Sequence, residues 1–74
     1  MNNDEFWTVV EIQKLSNGNK AALVTAYDDY NQALSAMYAV WSAAAISTIP
    51  YHAAFLISSR RGQIDSKIFD RGEV

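Results

Sequence analysis

The chain has 74 residues, half of them apolar or aromatic and fewer than a fifth charged, with six Lys and Arg against eight Asp and Glu, one His and no Cys. Disulfides and thiolate metal sites are excluded, a lone histidine is too few for an ordinary zinc site, and the acidic balance lacks the clustered cations of a general nucleic-acid binder. One small domain is all this length allows, near the size at which a single core barely offsets chain entropy, so close packing or self-association is expected to help.

Residues 1–4 and 72–74 are expected to fray. No basic stretch leads into an apolar one near the start, so no secretory leader is read and a cytoplasmic location is expected. Residues 5–15, with FWTVVEIQKL, are rich in the aromatic and β-branched side chains that suit a pleated surface. Ser16-Asn17-Gly18-Asn19 then gives an Asn-Gly hairpin signal, and Lys20 to Tyr27 returns as a second strand. In the first strand Phe6, Thr8, Val10, Ile12 and Lys14 are expected to form the core face, although Trp7 and Val9 make the other face partly apolar.

Asp29, three residues ahead of Gln32, reads as a helix N-cap, and Asp28 beside it also suits the positive end of a helix. Twenty uncharged residues follow, from Tyr30 to Ile49, which is the length that spans a bilayer. Asn31, Gln32, Ser35, Ser42, Ser47 and Thr48 interrupt them and alanine supplies much of the rest, so a packed helix is expected and a membrane is not. Leu34, Met37, Tyr38, Trp41, Ala44, Ala45 and Thr48 fall at helical spacing and should face a sheet. The opposite side carries Ser35, Ala36, Ala39, Ser42, Ala43 and Ile46, small or apolar where a lone surface helix would carry Lys and Glu. Ala36, Ala39, Ala43 and Ile46 are therefore expected to pack against a second copy.

Pro50 ends the helix. Tyr51 to Ser59 is apolar on both alternating faces and belongs in the middle of a sheet, whereas Ile64 to Arg71, beyond an Arg60-Arg61-Gly62-Gln63 turn, is more charged and suits an edge. The expected architecture is a single α+β domain, ββαββ, with a four-stranded antiparallel sheet in the order 2-1-3-4 and one helix on one face.

No catalytic constellation, P-loop or dinucleotide fingerprint is present, no cofactor or metal is expected, and His52 reads as a packed or interface histidine. The suggestive polar cluster is Ser58-Ser59-Arg60-Arg61-Gly62, whose hydroxyls, guanidinium groups and glycine turn suit an anion, with Trp7, Tyr27, Tyr30, Tyr38 or Tyr51 of a neighbouring copy available to stack on a base.

The segments FWTVVEIQKLSNGN, TAYDDYNQALSAMYAV and AAAISTIPYHAAFLISSRRG resemble small uncharacterised proteins encoded in prophages of Gram-positive bacteria. The resemblance implies a phage accessory protein, a group that includes virion components and inhibitors of host defence, some of which sequester nucleotide signals without cleaving them. The expected function is a non-enzymatic homo-oligomer holding a small anionic ligand, such as a nucleotide immune signal, at Ser58, Ser59, Arg60, Arg61, Trp7 and Tyr51. The alternative is a protein-binding module that inhibits a host enzyme or acts in virion assembly through an apolar sheet face around Trp7 and Val9.

Overall fold

The structure is a computed structural model and describes residues 4–72. Two hairpins flank one helix: β1 (Trp7–Lys14) and β2 (Lys20–Tyr27), α1 (Tyr30–Ile46), then β3 (Tyr51–Ser58) and β4 (Gly62–Asp70). The strands pair antiparallel in the expected order β2-β1-β3-β4, with α1 on one face. Each hairpin reverses the chain and the helix carries it back along the sheet, so β3 meets β1 running the opposite way. Of the ends expected to fray, Asp4 and Gly72 carry no regular structure, and residues 1–3 and 73–74 lie outside the described residues.

The first turn is a three-residue loop and not a tight Asn-Gly turn. Leu15 N–H donates to Asn19 O at 2.8 Å and Gly18 N–H to Leu15 O at 3.0 Å. Only Gly18 takes a positive φ, at 91°, while Asn17 uses its side-chain oxygen to accept from Asn19 N–H at 2.9 Å. The second turn also sits earlier than expected. It occupies residues 59–61, and Gly62, with φ 77°, already opens β4. A bulge opposite Leu56 and Ile57 follows, which lets Ile64 pack against the core beneath the helix.

The two faces of β1 are the reverse of the expectation. Trp7 and Val9 are buried in a cluster with Ala54 and Leu56 of β3 and Ala33 and Met37 of α1, so the odd residues meet the helix. Phe6, Thr8, Val10, Ile12 and Lys14 point to the open side. The alternation misleads because Glu11 and Gln13 lie on the helix side, where they find polar partners, while the open side is as apolar as the covered one.

Helix α1 begins where the capping signal places it. Asp29 accepts from Gln32 N–H at 3.3 Å through its carboxylate, and its carbonyl accepts the first helical bond from Ala33. Met37 and Ala44 are buried as the spacing predicts, with Leu34 partly buried beside them. The buried stripe is nevertheless turned toward Ala33 and Val40, because small side chains let the backbone approach the sheet closely. Tyr38 and Ala45 are left exposed, and Thr48 lies beyond the helix. Ala36, expected on the outward face, instead packs partly buried against the core, whereas Ala39, Ala43 and Ile46 are exposed.

The far end of α1 has no basic residue in its last turn. Arg71, just past β4, supplies the cation: its guanidinium donates to Ala44 O at 2.9 Å and Ile49 O at 2.9 Å while lying 4.1 Å over the Phe69 ring. Phe69 in turn meets Trp41. At the other end Tyr30 touches Trp7 edge-on, so α1 crosses the sheet diagonally from the start of β1 to the end of β4 and leaves most of β2 uncovered.

Candidate functional site

The Ser-Arg turn is assembled as the sequence suggests, but the side chains of Ser58, Ser59 and Arg61 are engaged internally. Ser58 is buried, and its hydroxyl donates to the Glu5 carboxylate at 2.5 Å while accepting from Arg60 and Arg61 N–H at 3.1 Å each. Arg61 adds two contacts to the same Glu5 oxygen, at 3.0 and 3.1 Å. Ser59 exchanges bonds with Phe6, its hydroxyl accepting from Phe6 N–H and its own N–H donating to Phe6 O. A carboxylate therefore stands where an incoming phosphate would sit. The Ser58 hydrogen bond comes first, then the hydrogen bond and charge of Arg61 and the charge of Arg60; together they outweigh partial desolvation and hold the Glu5 carboxyl below the ordinary glutamate range.

That depression gives a pH dependence of known sign. The network stabilises the fold above the ordinary glutamate value of 4.5 and is lost as pH falls through the lower folded value. Glu5→Gln is expected to lower the urea midpoint at pH 7 and to flatten its decline between pH 5 and pH 3. An equal acid-side decline in both proteins would contradict this.

Of the aromatic residues expected to serve the turn, Trp7 stands directly opposite Ser58 across β1 and β3, and Tyr51 lies at the far end of β3. Trp7 is buried under α1 against Tyr30. Tyr51 sits at the opposite end of β3, roughly 23 Å from Ser58 by strand rise, where with Lys14, Pro50 and Asp70 it lines a depression of about 220 Å³. Within one chain, then, the structure brings Ser58, Ser59, Arg60 and Arg61 together with Glu5, sets Trp7 beside Ser58 but covered by the helix, and does not bring Tyr51 to them.

A polar cluster that the sequence did not reveal lies under the helix side of the sheet. His52, on β3, is 4% exposed, and its Nε2 is 2.6 Å from Glu11 Oε2 of β1. Gln13 Nε2 donates to the same oxygen at 3.1 Å. The β1–β3 register sets Gln13 directly opposite His52 and Glu11 two residues along on the same face. Beside this cluster the diagonal helix leaves shallow depressions of about 200 Å³, along Val9, Glu11, Leu23, Tyr27 and Val40, and about 160 Å³, along Glu11, Gln13 and Leu23. Both are smaller than the roughly 300–1,000 Å³ of an ordinary small-molecule site. The arrangement is that of a buried hydrogen-bond cluster, satisfied at His52 Nε2 and not at Nδ1, rather than a ligand pocket.

The largest unassigned feature is the open sheet face. Across the strands β2, β1, β3, β4, its rows are Ala26-Thr8-Ile57-Gln63, Val24-Val10-Phe55-Ser66 and Ala22-Ile12-Ala53-Ile68. These three rows contain no charged residue, and Val24 and Ile68 are 63% and 48% exposed. Charge returns only in the fourth row, Lys20-Lys14-Tyr51-Asp70. An antiparallel sheet with one solvated side ordinarily alternates apolar-in and polar-out, and this one does not.

Among the described residues no three His, Asp or Glu side chains come together as a metal site, and no helix is long and apolar enough to cross a membrane. Comparison of the chain with protein-family models, with curated proteins and with solved structures gives no match.

Proposed function

We propose that the chain is a non-enzymatic protein-binding module whose working surface is the open face of its sheet. The observation that carries this reading is the three uncharged rows centred on Val10, Ile12, Phe55 and Ala53, a contiguous apolar surface of the kind that marks interaction sites. The surface is the one bearing the even residues of β1, not the side around Trp7 and Val9. By resemblance, such a module fits virion assembly or inhibition of a host enzyme. Anion binding at Arg60 and Arg61 is the second reading, favoured by their exposure (58% for the Arg61 side chain) and opposed by Glu5, which a ligand would have to displace.

The test is the native mass of the chain as purified, compared with that of Val24→Lys/Ile68→Lys and of Ile46→Lys. Both positions of the double variant are solvent-exposed in the isolated chain, so its fold should survive, as far-UV circular dichroism would show. The wild-type chain and Ile46→Lys should each carry a stoichiometric protein partner, a second copy or another chain, that the double variant lacks. A wild-type chain that is a bare monomer, or that releases a nucleotide on denaturation and holds no protein, would overturn the reading.

A further inference from the structure

Charges on the rim of the same face identify the partner, given the protein-binding reading on which this inference rests. On the β1–β2 half, Lys20 supplies the charge at the hairpin end, where it pairs in register with Lys14, and Asp4 and Asp28 flank the opposite end, where β1 begins and β2 finishes. On the β3–β4 half the signs are exchanged. Asp70 stands at the end that carries Lys14 and Lys20, in register with them through Tyr51, and Arg60 stands in the turn at the other end. Arg61 and Glu5, at that same end, neutralise one another. Arg71, next to Asp70, is turned to the carbonyls at the helix end, so the four corners of the apolar face alternate in sign around its perimeter.

We propose that the face is covered by the same face of a second copy, with the strands of the two sheets aligned. A face whose corners alternate is complementary to itself under either two-fold axis that keeps the strands aligned, because each such rotation exchanges corners of opposite sign. Packing the strands at right angles does the reverse and sets like charge over like charge at every corner. Aligned and orthogonal arrangements are the two ways sheets stack, so the rim selects between them. The apolar rows supply the attraction and the corner charges supply the register.

The dimensions agree with a small but sufficient interface. Strands of eight or nine residues at about 3.4 Å per residue, four abreast at about 4.8 Å, give a face of roughly 27 by 19 Å. Two such faces brought together cover about 1,000 Å², at the lower bound for a specific assembly. A two-fold contact of this kind also leaves no second copy of the patch exposed, so assembly closes at the dimer. The exposed helix residues Ala39, Ala43 and Ile46 stay on the outside.

Sedimentation equilibrium of the purified chain over a concentration series tests the proposal. The wild-type chain should show twice the 8.2 kDa monomer mass. Val24→Lys/Ile68→Lys should raise the dimer dissociation constant at least about a hundredfold, since each copy would bury unpaired ammonium groups. Ile46→Lys, on the outer helix face, should leave it unchanged. Two rim variants add a readout that a nonspecific apolar contact would not move. Lys20→Glu/Arg60→Glu and Asp28→Lys/Asp70→Lys should each dimerise poorly alone and form a mixed dimer when combined. A monomeric wild-type chain overturns the second-copy assignment, while the module reading survives if a different protein is held by wild type and lost in Val24→Lys/Ile68→Lys. A dimer broken by Ile46→Lys and not by the sheet substitutions overturns both. A mixed dimer no tighter than either parent overturns the aligned, charge-matched geometry.

Discussion

Leu56→Ala is expected to destabilise the chain by about 3 kcal/mol, within the range of roughly 2–5 kcal/mol for truncating a fully buried leucine. Leu56 is 0% exposed and sits at the centre of β3, between Val9 on β1 and the bulged part of β4, with Ala33 and Met37 of α1 in the same cluster. The lost methyl groups account for part of the cost. The rest comes from the void, because the neighbours are two strands fixed by their ladders and a helix held at both ends by Asp29 and Arg71. For a domain of this size each kcal/mol moves the melting temperature by about 4–8 °C, so the shift should exceed about 12 °C. Total stability at this length is on the order of 4–11 kcal/mol, and one substitution would remove a large share of it. Leu23→Ala supplies the control. Leu23 lies on the same side of the sheet but is 62% exposed on edge strand β2, most of which the diagonal helix leaves uncovered, and its truncation should cost under about 1 kcal/mol. Equal costs in urea unfolding would mean that α1 does not cover the sheet where the structure puts it.

The same two leucines mark what the sequence made legible. Strand order followed from local signals alone: two turn sequences, one capped helix, a proline and the antiparallel sense that these connections impose. Asp29 was legible as an N-cap because capping involves residues only three apart. Which face of the sheet meets the helix was not legible, because the period-2 argument works through contrast between faces. Here both faces are apolar, and the polar residues of β1 do not separate them: Thr8 and Lys14 stand on the open side, Glu11 and Gln13 on the helix side. Glu11 accepts there from Gln13 and from His52, the latter 41 residues away.

The site residues show a similar divide. Ser58, Ser59, Arg60 and Arg61 are close in sequence and their clustering at a turn could be read directly. That the Ser58 hydroxyl and the Arg61 guanidinium are already engaged could not, because the acceptor, Glu5, lies 53 residues before Ser58. The missing quantity was the register between β1 and β3. With Trp7 opposite Ser58 the antiparallel pairing runs on to bring Glu5 beside the turn, and runs back to set Gln13 against His52. A one-residue slip would have separated both clusters. Ala36 was misplaced for a different reason: on an alanine-rich helix the moment is too weak to fix its rotation, and small buried residues such as Ala33 give no signal that distinguishes them from small exposed ones.

The second large effect is expected at Glu11, where the chemistry of the replacement should matter more than its size. In Glu11→Ala the His52 ring keeps its buried position but its Nε2–H loses the oxygen 2.6 Å away, and the ring is only 4% exposed, so water cannot take the acceptor's place without disturbing the sheet. A buried donor left unsatisfied costs about 1–3 kcal/mol, and Gln13 loses its acceptor in the same step. The Nδ1 atom of His52 is already buried without a partner, so the ring has no second hydrogen bond to hold it. Glu11→Gln keeps a carbonyl oxygen at the same reach and should cost less than about 1 kcal/mol. His52→Ala is not the mirror image of Glu11→Ala. The Glu11 side chain is 20% exposed and can recover hydration through the adjoining depression, so most of that loss would be the cavity. Urea midpoints of Glu11→Ala, Glu11→Gln, His52→Ala and the double variant Glu11→Ala/His52→Ala decide the matter. If the unsatisfied ring is what hurts, adding His52→Ala to Glu11→Ala should cost less than His52→Ala does in the wild-type background, with a coupling of about 1 kcal/mol or more. Strict additivity, with Glu11→Gln as damaging as Glu11→Ala, would show that this corner of the sheet is held by packing and not by the hydrogen bond.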